Sequence, residues 1–182
     1  MKRPLAVAIP LAFALVGCSG GDDADAPDLA DLPENDALCL DGDRADRPVI
    51  DWIEPAIDLA VDEYGDPEFF EISADRQRVS VIVSVDGVAE QLFYCASAGY
   101  VPATSLGEAE GSTFAPDSVD FDVDTIFDGI DEELDDPEIG DFAIVGDGAG
   151  GAAYDASVQS DVGGVLLVRL AGDGTVLGAQ AQ

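Results

Sequence analysis

The stretch 78–95 most constrains the fold, because its residues spell out a β-hairpin. Four valines from Val79 to Val85 alternate with Ser80, Ile82 and Ser84, which is the period of a strand with one buried face. Asp86-Gly87 follows, a pair that tolerates the positive φ angles of a two-residue hairpin turn. Counting outward from the turn gives the expected cross-strand pairs: Val85 with Val88, Val81 with Leu92, and Val79 with Tyr94. The sequence therefore predicts an antiparallel sheet with one apolar face.

A helix is predicted just before this hairpin. Asp51 and Glu54 have the spacing of a capping box, and Gly65 with Pro67 ends the pattern. One helical face carries the apolar residues Ile53, Ile57, Ala60, Val61 and Tyr64. With a short strand at 69–73, this predicts a first αβββ unit over 37–100. Trp52 and the Phe69-Phe70 pair are expected in its core.

The same pattern recurs further along the chain at a constant offset in the numbering. The matching residues are Val123, Phe127, Ile130 and Leu134 for Ile53, Ile57, Ala60 and Tyr64, and Asp136-Pro137-Glu138 for Asp66-Pro67-Glu68. Further strands are predicted at 141–145, 153–159, 165–170 and 175–179, the last two joined around Asp173-Gly174. We therefore predict an α+β fold, a tandem repeat of a helix plus an antiparallel meander, with both helices on one face of the sheet. The second αββββ unit covers 117–182, and 101–116 is expected to be a linker.

This duplicated arrangement is similar to PepSY-type and beta-lactamase-inhibitor-protein-like domains. The similarity is architectural and covers roughly residues 48–180. It implies an exported binding or inhibitory module that offers the uncovered face of its sheet to a partner. It assigns no binding residue in this chain.

The N-terminal stretch 1–18 has the pattern of an export signal. Lys2 and Arg3 precede an uncharged apolar run from Pro4 to Val16, which is shorter than the roughly 20 residues that a membrane-spanning helix needs. Leu15-Val16-Gly17-Cys18 resembles the lipobox of bacterial lipoproteins. That resemblance implies removal of the signal peptide 1–17 and attachment of a diacylglyceryl group to Cys18, commonly with a third acyl chain such as palmitate. It predicts a lipid-anchored protein that faces outside the cytoplasm, on the cell membrane or the outer membrane.

The remaining chain is strongly acidic. The whole sequence has 7 basic and 39 acidic residues, a net charge of −32 and no histidine. A surface of this charge repels nucleic acid and favours solubility and cation binding. The segment 18–36, rich in Asp, Gly and Pro, is predicted to be a disordered acidic tether. We expect a membrane contact through the anchor and a protein or envelope partner, but no nucleic acid.

Two further patterns bear on chemistry. Cys39 and Cys95 form an even pair in an exported chain and predict a disulfide, with two buried thiols as the alternative. Gly146, Gly148 and Gly151 match G-x-G-x-x-G, but alternating apolar residues follow, so a glycine-rich hairpin loop is the preferred interpretation.

An acidic run in the second unit has part of the spacing of a calcium loop. Its candidate ligands are Asp120, Asp122, Asp124, Asp128 and Asp131, and a weaker cluster is Asp41, Asp43 and Asp46. Thr125 stands where such a loop requires glycine, so water-facing acids or a helix cap are the simpler interpretation.

The chain lacks the usual parts of a catalytic site. Without histidine, a serine or cysteine nucleophile has no imidazole base, and without lysine beyond Lys2, Schiff-base chemistry has no amine. No catalytic residue and no cofactor other than calcium is predicted. The predicted function is non-catalytic binding by an extracytoplasmic lipoprotein. The alternatives are a calcium-binding or calcium-stabilised surface protein and a hydrolase that uses paired carboxylates.

Overall fold

The computed structural model describes residue 39 and residues 44–95, 99–159 and 163–182, with the backbone alone at 100–104. The predicted signal peptide 1–17, Cys18 and the tether to residue 36 lie outside these residues, as do Asp41 and Asp43.

The described chain forms one eight-stranded antiparallel sheet with two α-helices, in the strand order β4-β3-β2-β1-β5-β6-β7-β8. The α+β class is therefore confirmed. Each helix precedes a four-stranded meander, and the two meanders join at the centre through β1 and β5. The helices are α1 (Ile53–Tyr64) and α2 (Val123–Glu133), and the strands are β1 (Glu68–Ala74), β2 (Val79–Val85), β3 (Val88–Cys95), β4 (Gly99–Glu108), β5 (Glu138–Gly146), β6 (Ala152–Gln159), β7 (Val165–Leu170) and β8 (Val176–Ala181).

The β2–β3 hairpin has the predicted register. Val85 pairs with Val88, and the remaining pairs follow as counted from the turn. Asp86 and Gly87 have φ angles of 50° and 82°, the positive values that a two-residue turn with the native twist requires.

Both helices pack on the same apolar face of the sheet. Ile53 of α1 and Ile126 of α2 are fully buried in one cluster that runs across the strands. The strand register places Ile72 beside both Val81 and Ile144, so the buried side chains of neighbouring strands share that face. Phe69 is fully buried, as predicted. Trp52 is half-buried and packs against the same cluster from its edge, and Phe70 is half-buried beside Gly111 rather than in the core.

Most of the residues predicted as a linker, 101–116, belong instead to the regular structure of the fold. The first part of this segment belongs to β4, which pairs with β3, so the first half has four strands rather than three. The strand pattern is concealed by Pro102 and Gly107, which an outer strand tolerates because one side of its backbone needs no partner. Further on, Phe114 is buried and exchanges two backbone hydrogen bonds of 2.9 Å with Phe69.

The two helices begin differently. A 3₁₀ turn, Ile50–Trp52, leads into α1, and Trp52 stands at its N-cap with no side-chain hydrogen bond. The capping box predicted from Asp51 and Glu54 therefore does not form. Asp122 does cap α2, because its carboxylate accepts a hydrogen bond of 3.0 Å from the Thr125 backbone N–H.

The predicted disulfide is present in the first half. It joins Cys39 to Cys95 at the end of β3, with their Cα atoms 5.5 Å apart. Phe93 is buried beside it, and the Arg78 guanidinium lies 4.0 Å from the centre of the Phe93 ring.

Close backbone contact holds α2 in the second half. The turn between β7 and β8 lies directly against the helix, with Gly174 buried beside the Thr125 carbonyl. Gly129 faces the Gly174 carbonyl from the next turn of the helix. A Cβ at Gly129 or Gly174 would overlap backbone atoms of the other element, so the absence of side chains permits this approach.

Candidate functional site

A groove of about 530 Å³ runs beside α1 on the helix-covered side of the molecule. One wall is α1 with its preceding turn, and the other is the segment 116–123 that leads into α2. The apolar lining residues are Ile50, Ile53, Ile57, Val61, Pro116, Val119, Phe121 and Val123. Ile53 is fully buried, whereas Ile57 and Val61 are half-buried, so apolar surface remains accessible inside the groove.

The rim of this groove is acidic. Its polar lining residues are Asp51, Glu54, Asp58, Asp117 and Asp120, and all five are exposed. Within the part of the chain that the structure describes, no arginine lines the groove. Carboxylates beside an apolar wall create a stronger field than they would in open water, because the wall has a low dielectric constant. The groove therefore combines apolar contact with a strong preference for positive charge.

The segment 116–123 takes its orientation from alternating side chains. Val119, Phe121 and Val123 pack against the core, and the Phe121 ring lies 5.6 Å from the ring of Phe142. The Tyr154 hydroxyl fixes the backbone between Val119 and Phe121. It accepts a 2.9 Å hydrogen bond from the Asp120 N–H and donates one of 3.1 Å to the Asp120 carbonyl. The intervening acids consequently face water.

The predicted calcium ligands lie in this segment and on α2, but they are engaged separately. Asp122 caps the helix, and Asp131 forms an ion pair of 2.8 Å with Arg47. Asp120, Asp124 and Asp128 are exposed, as is Asp46 of the weaker cluster. Among the described residues, no three His, Cys, Asp or Glu side chains are grouped to hold a metal ion. The spacing in sequence is not matched by convergence in space, and calcium binding stays a prediction.

The glycine-rich motif forms the loop between β5 and β6, as its pattern indicates. The Asp147 carboxylate accepts hydrogen bonds from the backbone N–H groups of Ala149 (2.6 Å) and Gly151 (2.9 Å). These bonds, Ala149 first, lower the pKa of Asp147 below its ordinary value. An internal carboxylate thus occupies N–H groups that a phosphate would need.

The face of the sheet away from the helices was the expected partner surface. Its centre holds a shallow hollow of about 350 Å³, where Arg78 lies near Ser80 and Gln91. Nearby, the buried Asp155 carboxylate forms a two-bond ion pair with Arg169 at 2.9 and 3.0 Å and raises the pKa of that arginine. Glu71, Asp75 and Asp141 also line the hollow, so carboxylates outnumber Arg78 there. This face also favours positive charge, and the groove differs from it mainly in its larger apolar lining.

Sequence reasoning missed the groove, although it identified several of its parts. Ile57 and Val61 are predicted as apolar positions of a helix, and Asp120 as part of an acidic run. No local signal indicates that two segments so far apart in the sequence leave a space between them.

Comparisons with known proteins add little to this geometry. No protein-family model and no curated protein matches the chain. A crystal structure from Clostridium difficile 630, of the protein CD1622 that is provisionally described as a lipoprotein, aligns with a TM-score of 0.49 and 18% identity. The alignment covers 79% of this chain and 97% of the other. The similarity to PepSY-type and beta-lactamase-inhibitor-protein-like domains stays a prediction.

No helix within the described ranges is both long enough and apolar enough to cross a bilayer.

Proposed function

We propose that this protein is a lipid-anchored, extracytoplasmic binding module that captures a cationic, amphipathic protein segment without catalysing a reaction. The observation that carries the proposal is the groove beside α1, with its apolar floor and five exposed carboxylates. A helix with one apolar and one basic face is the ligand that such a groove fits, because its apolar side chains enter the floor while its charges face the rim. The expected partner class is therefore a basic amphipathic helix of a protein or envelope component.

A matched pair of double variants tests the groove. Glu54→Gln with Asp58→Asn removes two rim charges, and Asp62→Asn with Glu63→Gln removes two exposed charges of the same helix outside the groove. The probe is a labelled amphipathic helix of about four turns built from Leu, Ala and Lys. We expect the rim variant to weaken binding about fivefold and the control to change it by less than about twofold.

Two controls test whether charge attraction drives the binding. The same peptide with Glu in place of Lys should not bind, and added sodium chloride should weaken binding of the Lys peptide. Equal losses in the rim and control variants would mean that the net charge of the chain attracts the peptide without a site. Binding that is unaffected by both would place the peptide elsewhere, for example on the uncovered face of the sheet.

The anchor is a separate part of the proposal and rests on Leu15-Val16-Gly17-Cys18. Two or three acyl chains at Cys18 hold a protein stably on a membrane. Cys18→Ala should move the protein from the membrane fraction to the soluble fraction or block its processing. Unchanged fractionation of this variant would contradict the lipid anchor and leave the groove untouched.

We also propose that the two halves arose by duplication of one helix-plus-meander unit. The offset that relates the starts of the helices, Ile53 and Val123, also relates the starts of β1 and β5, Glu68 and Glu138. At the centre of the sheet Ser73 pairs with Ala143, which is again its counterpart at this offset. Such a pair is expected where a two-fold relation between the halves crosses the sheet. An alignment of natural variants in which the halves share no apolar positions at this offset would contradict the duplication.

A further inference from the structure

The strand β8 is an outer strand with little of the usual protection, since its irregular pairing with β7 is confined to Leu177 near its start. Residues 176–182 contain no charged residue and no proline, in a chain with 39 acidic residues. Residues 177–181 are all exposed, and Leu177 is 63% exposed. Outer strands normally carry charges, prolines or irregularities that prevent pairing with another chain. The opposite outer strand, β4, has Pro102, ends at Glu108 and pairs irregularly with β3.

The backbone of β8 has hydrogen-bonding groups directed away from the sheet. The Gln182 N–H donates a 3.0 Å bond to the Val165 carbonyl, so Gln182, Gln180 and Gly178 are the residues that bond to β7, as far as the register shift at Leu177. Ala179 and Ala181 lie between those positions, opposite Val168 and Leu166. Their N–H and C=O groups therefore point to the open side of the strand.

We propose that β8 pairs antiparallel with β8 of a second copy of this chain, which extends the sheet across two molecules. A two-fold register centred on Ala179 is self-complementary. It sets Gly178 of one copy opposite Gln180 of the other, and brings Leu177, which stands at the register shift of β8, close to the small Ala181. The outward groups of Ala179 meet the same groups of the second copy, as antiparallel pairing requires.

Charge identifies the partner as another copy. A chain with a net charge of −32 repels itself, so two copies can approach only where the surface is not acidic. Beside β8 lies a shallow hollow of about 300 Å³, and the carboxylate among its described lining residues, Asp155, is bonded to Arg169. On the uncovered face beside β8 the described lining holds no unpaired carboxylate, so an acidic partner meets no repulsion on that side. The exposed acids Asp128, Glu132 and Asp173 lie on the other side, at the turn that leads into β8, and salt should screen their repulsion. This pairing is independent of the groove, and salt should strengthen it while weakening peptide binding.

Sedimentation velocity tests the pairing with the chain that follows the signal peptide, carrying Cys18→Ser so that it stays in solution. We expect concentration-dependent dimers that become more stable as sodium chloride is added. Ala179→Pro removes an outward N–H without removing a bond to β7, and should weaken dimerisation about tenfold. Ala115→Pro is the control, since it is an exposed position with φ of −84° that already suits proline.

Leu177→Glu is the second variant and does not depend on how the strand tolerates proline. It places a carboxylate on the edge of each copy and should also dissociate the dimer while the circular dichroism spectrum stays that of the folded chain. A wild-type chain that remains monomeric at high concentration and high salt would overturn the proposal, and would leave the edge to an extended segment of another protein. A dimer that both edge variants leave intact would overturn it as well.

Discussion

Two turns of the same sequence, Asp-Gly, have different roles in the two halves of the molecule. Gly87 in the β2–β3 turn has φ of 82°, and no described atom lies within 4 Å of its Cβ position. Gly174 in the β7–β8 turn has φ of 81°, but its Cβ position is filled by the Thr125 carbonyl of α2. The positive φ angle thus explains why glycine occurs at both sites. Only at Gly174 does contact with α2 also leave no room for a side chain.

The contrast extends to how each half is held together. In the first half a covalent bond joins Cys39 to the end of β3. In the second half, α2 is held by the approach of Gly129 and Gly174 and begins at a capping aspartate, Asp122. The disulfide, the glycine contact and the helix cap can each be removed by substitution without changing the contacts that hold the other half.

Removal of the disulfide should have the largest effect. The bond spans 56 residues, and the chain-entropy estimate for a loop of that length is about 4 kcal/mol. Replacing Cys39 and Cys95 together by serine should lower the free energy of unfolding by up to that amount in guanidinium titrations. Wild-type protein in reductant is the control and should match the double variant. A loss below about 1 kcal/mol would mean that packing alone orders this segment.

Replacing each turn glycine by alanine should separate the cost of a positive φ angle from the cost of a clash with neighbouring backbone. Gly87→Ala is expected to cost about 1 kcal/mol, because only the positive φ is unfavourable. Gly174→Ala adds a clash with backbone atoms and should cost about 3 kcal/mol. Thermal and denaturant unfolding of both variants measure the difference. Equal losses would contradict the proposed contact between the second turn and α2.

Alanine at the two aspartates that precede the helices gives a smaller contrast. Asp122→Ala removes the hydrogen bond to the Thr125 N–H and should lower the free energy of unfolding by about 1 kcal/mol. Asp51→Ala removes no capping bond and should cost less than about 0.5 kcal/mol. If Asp51→Ala proves as costly as Asp122→Ala, the capping box predicted from the sequence forms in solution.

Calcium should have the smallest effect. The acids from Asp120 to Asp131 do not converge, so we expect millimolar calcium to raise the melting temperature no more than sodium at equal ionic strength. Stabilisation by calcium alone would restore the calcium-binding alternative, and Asp128→Asn would then be examined first.

The parts of the fold that could be predicted from the sequence are those determined by residues close together in the chain. The β2–β3 register follows from Val79 to Tyr94 alone, since the turn and both strands are contiguous. Strand β4 was missed because Pro102 and Gly107 conceal an outer strand that pairs on one side. Aspartate is a favourable N-cap residue, so both Asp51 and Asp122 are candidates for capping a helix. The path of the chain before each helix determines which carboxylate reaches the free backbone N–H groups of the first turn. The groove depends on how α1 meets a segment distant in the sequence, which no local pattern encodes.

The most direct test of the proposed binding function is an amide NMR titration of the protein with the Lys-containing amphipathic peptide. We expect saturable chemical-shift changes in α1 and residues 116–123, and smaller changes on the uncovered face of the sheet. Glu54→Gln with Asp58→Asn should diminish the changes in α1 and residues 116–123. Shifts that spread evenly over exposed acidic residues, or none at all, would contradict the groove as a binding site.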